Sequence, residues 1–240
     1  IPLSMLLTVS VVCAGALLQP SARVSAPALA ASVRPRGCSP SMLILGGEDG
    51  DIQPKEFVDP LAKPRPKYDL AAASGRPDET AYGAAAAASP AELAEWSAHM
   101  QAAGLKRALG LFSPAEAGSR SPDGTVEGYT TALEAQGFTT ATVVDASAPG
   151  ARDAVLGALN AAKAAREKLC IHCTDGLGLT GVTMADWLLV DYIGGDNVME
   201  AADAIRMRKR LTGVPRSPDV ALIEAYRETG SAVLPSNLIY

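Results

Sequence analysis

Residues 169–181 read LCIHCTDGLGLTG: an apolar run ending in a cysteine, a glycine-bearing stretch, and then a threonine that opens the apolar segment up to Ile193. Leu169 to His172 is short and apolar enough for a buried strand, and Thr180 to Ile193 (TGVTMADWLLVDYI) reads as a central buried helix. A strand that runs through a glycine-bearing loop into a helix leaves successive backbone N–H groups pointing inward, with the positive end of the helix dipole behind them. The stretch is therefore an anion cradle with a thiol at its base. Such a setting lowers a cysteine pKa, so Cys173 is expected to be a thiolate nucleophile.

Outward from this motif, segments alternate between strand-like and helix-like. Leu105 to Leu111 (LKRALGL) and the β-branched run Thr139 to Val144 (TTATVV) read as strands, with Asp145 at the carboxyl end of the second. Ser89-Pro90-Ala91-Glu92 reads as a capping box that starts a helix with Leu93, Trp96 and Met100 on one face, ended by Gly104. Ser113 to Glu116 repeats the same tetrapeptide before a helix around Val126 to Gln136, and further helices are expected at Ala151 to Ala165, Asn197 to Leu211 and Ser217 to Tyr226. This order predicts an α/β fold, with a mostly parallel central sheet of four to five strands and helices on both faces. Ligands of such sheets sit beyond the carboxyl ends of the strands.

At residues 172–180 the chain resembles the cysteine-dependent protein tyrosine phosphatase superfamily, and within it the dual-specificity phosphatases. The signature of that family is His-Cys, five residues, Arg, then Ser or Thr; here it reads His172-Cys173-Thr174-Asp175-Gly176-Leu177-Gly178-Leu179-Thr180. The likeness covers about residues 69–229 and includes Tyr82-Gly83 before a helix bearing Trp96, the GLKRALGL strand, Asp145 some 28 residues before Cys173, and an arginine-bearing helix from Asp203 to Leu211. The resemblance implies a protein tyrosine phosphatase-like fold in which Cys173 forms a phosphocysteine, Asp145 is the general acid, Thr180 helps the thiolate leave, and His172 tunes the thiol from behind the loop.

The departure is Leu179, which stands where the family carries its phosphate-gripping arginine. A bidentate guanidinium stabilises the charge of the transition state, and by analogy with other phosphoryl-transfer arginines its loss removes on the order of 10³ to 10⁵ in rate. Asp175 adds a negative charge to the same loop. The expectation is therefore an impaired phosphatase that binds or scaffolds a phosphorylated ligand or partner: a phosphoprotein, a phosphorylated glucan or nucleotide, or a plastid assembly. Two alternatives stand beside it. One is a low-rate phosphatase in which Arg206 or Arg216 replaces the missing fork, and the other is a structural subunit of a plastid membrane complex.

Other side chains carry competing readings. Asp145 could instead cap the turn that follows its strand. The Cys170-x-x-Cys173 spacing invites a thioredoxin-like redox reading. Asp186, inside the apolar helix, is expected to face an arginine of the segment from Ile205 to Leu211.

Composition bounds the remaining classes. The chain has 240 residues and a formal net charge of −5; alanine supplies 44 residues, while aromatics make up only 5%. No basic stretch is long enough to track a phosphate backbone, which argues against a nucleic-acid binder. Two histidines and four cysteines leave little for a zinc module, and neither a metal nor a cofactor is expected. Residues 1–47 hold no Asp or Glu, and Met5 to Leu18 is an apolar run of 14, shorter than the roughly 20 needed to span a bilayer. With the basic, serine-containing stretch after it, residues 1–41 read as a two-part presequence, a signal peptide followed by a transit-like segment. This is similar to what nucleus-encoded plastid proteins of algae with secondary plastids carry; secretion is the alternative. Cys170 and Cys173 are then the only cysteines of the mature chain, which fits a reducing compartment and free thiols. Residues 42–68 read as an extended arm, 69–229 as the domain, and 230–240 as a tail, with no transmembrane helix in the mature part.

Overall fold

The structure, a computed structural model, describes residues 63–233. The presequence and the arm up to residue 62 lie outside the described residues.

Five strands form one sheet: β1 (Ala71–Ala72), β2 (Ala81–Ala85), β3 (Leu105–Leu111), β4 (Thr140–Val144) and β5 (Lys168–Cys173). Their order is β1-β2-β5-β3-β4, with β1 antiparallel to β2 and every other pair parallel. The parallel pairs need crossovers, and the helices α1 (Leu93–Ala102), α2 (Pro114–Arg120), α3 (Val126–Ala135), α4 (Ala151–Ala165) and α5 (Gly178–Leu188) follow strands in turn. After one π turn at Leu189–Ile193 the chain finishes with α6 (Val198–Met207), α7 (Lys209–Thr212) and α8 (Val220–Thr229). The α/β architecture with a mostly parallel five-stranded sheet is the one the sequence implies. Among the described residues, no helix is long and apolar enough to cross a membrane.

The central strand β5 divides the core by its two-residue period. Leu169, Ile171 and Cys173 face a cluster with Val155 and Leu159 of α4, Val182, Met184 and Trp187 of α5, Ile205 of α6, and Tyr226 of α8. Cys170 faces the opposite cluster, built from Trp96 and Met100 of α1, Ala117 of α2, and Tyr129 and Leu133 of α3. A register shift between Leu105 and Arg107 lets β3 serve both faces: Leu105 and Ala108 join the second cluster, Leu109 and Leu111 the first.

Several local expectations are corrected. The first Ser-Pro-Ala-Glu does not close a capping box: Ser89 makes no capping bond, Glu92 accepts from the Ala88 N–H at 3.2 Å instead, and the first turn is a 3₁₀ turn. The second copy does close one, with Ser113 and Glu116 bonding reciprocally, and it starts α2 rather than α3. The helix expected from Asn197 to Leu211 breaks at Arg208 into α6 and α7. Lys67–Asp69 forms a 3₁₀ turn, and the carbonyl of the buried Asp69 accepts from Arg216 at 2.6 Å. Past Thr229, Ala232 donates its N–H to the Ala146 carbonyl at 2.7 Å, so the start of the tail packs on the domain.

Candidate functional site

The carboxyl end of β5 delivers Cys173 into the loop of residues 174–177, and α5 begins at Gly178. The loop can lie this close to the sheet because two positions lack a side chain. Gly176 has φ +67°, and a Cβ there would stand 2.3 Å from the Ala85 nitrogen of β2. At Gly83 a Cβ would fall 2.5 Å from Met184 Sδ and 2.6 Å from Thr180 Cγ2, so glycine lets the start of α5 seat against β2.

Arg216 closes the back of the loop. It is buried, donates from Nε to the Gly176 carbonyl at 2.8 Å, and through Nη2 ties the same point to Asp69. Burial pulls its pKa down to about 10, which still leaves it charged near neutrality. These two donors go to backbone carbonyls behind the loop. Arg206 is engaged elsewhere, on Asp203 and the Pro218 carbonyl. Of the two arginines suggested by the sequence, Arg216 meets the loop from behind, and Arg206 is held on Asp203 and Pro218.

The thiol sits between two partners. Thr180, fully buried, donates its hydroxyl to Cys173 Sγ at 3.1 Å, an arrangement that favours a thiolate. From the other side Cys173 donates to Asp175 Oδ1 at 3.2 Å, which favours the protonated thiol. Burial is the largest influence, and with Asp175 it outweighs Thr180, so the Cys173 pKa is raised. The sequence reading expected it lowered by the loop N–H groups and the helix dipole; the correction comes from the desolvated position and from the Asp175 carboxylate.

Asp175 does more than face the thiol. The same Oδ1 accepts the N–H of Leu177 at 2.8 Å and that of Gly178 at 3.3 Å. Burial pushes the Asp175 pKa up, but these donors outweigh it and leave the pKa below its ordinary value. Thr174, exposed on the rim, donates to Glu116 Oε1 at 3.1 Å and accepts from Arg120 Nη2 at 3.0 Å. Leu179 packs on the apolar core and lines a shallow cavity of about 150 Å³ with Leu111, Phe112, Glu116 and Asp145.

Asp145 thus lies beside Leu179, and one oxygen of its carboxylate is engaged by the turn after β4. Its Oδ1 accepts the Ser147 N–H at 2.9 Å and the Ser147 hydroxyl at 2.5 Å. This is the turn-capping alternative the sequence left open.

His172 does not reach the thiol, because adjacent residues of β5 face opposite sides of the sheet. Its Nε2 lies 2.9 Å from the Tyr129 hydroxyl and its Nδ1 3.4 Å from the Cys170 carbonyl. A carbonyl can only accept, so Nδ1 carries the proton and Nε2 accepts from Tyr129. Burial among Trp96, Phe112 and Tyr129 lowers its pKa to about 4, which keeps the ring neutral. The same alternation removes the redox reading: Cys170 is fully buried on the other face, next to Met100 Sδ, and both thiols are free. Asp186 pairs with Arg152 of α4 at 2.8 Å and Arg227 of α8 at 3.6 Å, not with the segment from Ile205 to Leu211, because that face of α5 turns toward α4 and α8.

Two residues of the mouth carry no sequence signal that singles them out. Glu116 is legible only as a capping residue. Arg120 ends α2, lies over the Phe112 ring at 4.9 Å, and is the cation that touches the loop side chains. No group of three or more metal-ligating side chains comes together among the described residues.

No family model matches the chain, and no curated protein matches it. Solved structures do. Tk-PTP in its active form is similar at 21% identity over 58% of this chain and 84% of its own, with a TM-score of 0.41. Kinase associated phosphatase is similar at 13% identity over 57% and 76%, with a TM-score of 0.43. TpbA of P. aeruginosa, solved in complex with pTyr, is similar at 17% identity over 60% and 83%, with a TM-score of 0.30.

Proposed function

We propose that this chain is a protein tyrosine phosphatase-like protein that binds a phosphorylated partner and turns it over slowly or not at all. One observation carries the reading. Cys173 and Thr180 stand 3.1 Å apart at the start of α5, the relation a thiol nucleophile and its leaving-group hydroxyl need, while Leu179 puts a hydrocarbon against the core where a phosphate would need a guanidinium. The raised pKa of Cys173 supports slow chemistry, since the thiolate is the nucleophile. Residues 1–41 extend the proposal to a plastid, with secretion as the alternative. Fusion of that segment to a fluorescent reporter checks this, and a reporter that enters the medium would reject it.

Phosphate release from an aryl phosphate by the full chain tests the reading, alongside Leu179→Arg and Cys173→Ser. The expected outcome is a silent wild type and a Leu179→Arg variant that gains turnover by on the order of 10³, dependent on Cys173. Wild-type turnover as fast as that of Leu179→Arg, and abolished by Cys173→Ser, would overturn it in favour of an active enzyme.

Arg120 favours that second reading, a phosphatase with a relocated cation. Its Nη2 lies 3.0 Å from Thr174 Oγ1 at the loop rim, where a phosphate oxygen bonded to Thr174 would come within its field. If wild type turns over, Arg120→Met should lower the rate by on the order of 10² while Arg206→Met leaves it unchanged.

A further inference from the structure

The loop's donors already have an acceptor. Asp175 Oδ1 collects the Leu177 N–H at 2.8 Å, the Gly178 N–H at 3.3 Å and the Cys173 thiol at 3.2 Å, three donors on one carboxylate oxygen. The two N–H groups are among those at the start of α5 that have no partner within the helix, which an incoming oxyanion would use. Asp175 is nonetheless exposed, so it covers the cradle from the solvent side rather than being walled into it. Gly176, one residue on, is fixed from behind by Arg216 and by the backbone of β2, so the loop cannot relax as a whole; the carboxylate can leave by rotation about its own side-chain bonds.

We infer that Asp175 is an internal occupant of the oxyanion cradle, a carboxylate that competes with tetrahedral oxyanions for the loop's N–H groups and must swing out before one binds. The inference rests on the reading of this loop as an oxyanion cradle. It makes Asp175 a residue that sets ligand selectivity: a ligand has to offer enough contacts outside the loop to displace a tethered rival. An aryl or alkyl phosphate with a small leaving group has few such contacts, whereas a phosphorylated side chain on a protein brings a surface with it.

The bland competitor is a helix cap: an Asp ahead of α5 that satisfies two N–H groups and does nothing else. Isothermal titration of the full chain with tungstate separates the two. Asp175→Ala removes the occupant and should bind tungstate at least about tenfold more tightly than wild type. Asp175→Asn keeps the shape but removes the charge and should bind with intermediate affinity. A simple cap predicts the reverse: Asp175→Ala melts about 2–4 °C lower with no gain in tungstate affinity, and that result overturns the inference. If Asp175→Ala fails to fold, Asp175→Asn decides, and no gain over wild type again overturns it. Leu179→Arg and the double variant Leu179→Arg/Asp175→Ala keep the two levels apart. Should Leu179→Arg alone bind tungstate as tightly as the double variant, Asp175 is no rival and the cradle stands. Should none of these proteins bind tungstate, the cradle reading itself falls and the inference goes with it.

Discussion

Behind the loop of residues 173–180, Gly83, Gly176, Thr180 and Arg216 meet in close contact, whereas in front of it Leu179, Thr174 and Asp175 lie near Glu116, Arg120 and Asp145. The back is defined by the β2 backbone against Gly176 and by the buried side chains of Thr180, Met184 and Arg216, which cannot move without moving β2 or α5. The front is defined by side chains, each of which can rotate or be exchanged. Loop shape and loop chemistry are thereby set by separate residues. On the proposed reading, a chain can keep the first while the second changes, and Leu179 is the position where that would have happened.

Changes behind the loop should therefore cost stability, and the largest loss is expected at Gly176. Gly176→Ala puts a Cβ 2.3 Å from a backbone nitrogen at φ +67°, and backbone cannot yield as a flexible side chain would. A loss of at least about 4 kcal/mol is expected, read as a fall in the denaturation midpoint. A change under 1 kcal/mol would show that the loop is softer than the comparison holds. Arg216→Ala should follow at about 3 kcal/mol, since it leaves the carbonyls of Gly176 and Asp69 buried without their donor. That variant should also loosen residues 63–69, measurable as faster amide hydrogen exchange there.

His172 extends the comparison to pH. Its pKa is about 4 in the folded chain against an ordinary 6.5, so the unfolded state binds the proton first as pH falls. Its contribution to stability is present above pH 6.5 and is lost as pH drops from there toward 4, by on the order of 3 kcal/mol. His172→Gln should flatten that part of the stability profile. An unchanged slope would place the acid sensitivity in another group.

The sequence made legible what depends on pattern. Leu105–Leu111 and Ala151–Ala165 fall where periodicity and propensity put them. β2 was less legible because Ala81–Ala85 (AYGAA) lacks the β-branched residues that mark strands; small residues are needed there because Thr180, Met184 and Arg216 press on Gly83. The two Ser-Pro-Ala-Glu tetrapeptides show the limit of local signals, since identical residues close a capping box at Ser113 and not at Ser89. At the site, the strand-loop-helix setting of Cys173 could be read from the residues, and the pairing with Thr180 was implied by the resemblance. The protonation of Cys173, the partners of Asp186 and the approach of Arg120 could not, because each depends on which helix a residue meets across the fold.

The smallest expected effect is at Asp145, and it separates two roles the sequence left open. Its carboxylate holds Ser147 through the N–H and the hydroxyl, and the amide oxygen of Asp145→Asn can still accept both bonds, so stability should change by less than about 0.5 kcal/mol. Asp145→Ala loses that turn cap and should cost about 1 kcal/mol. Activity in a Leu179→Arg background gives the sharper reading. A general acid needs its proton, so Asp145→Asn and Asp145→Ala should lower turnover alike, by about 10² to 10⁴. If Asp145 serves the turn alone, Asp145→Asn keeps the rate and only Asp145→Ala falls. The second pattern would assign Asp145 to the framework behind the chemistry, and the general acid would have to be sought in another residue.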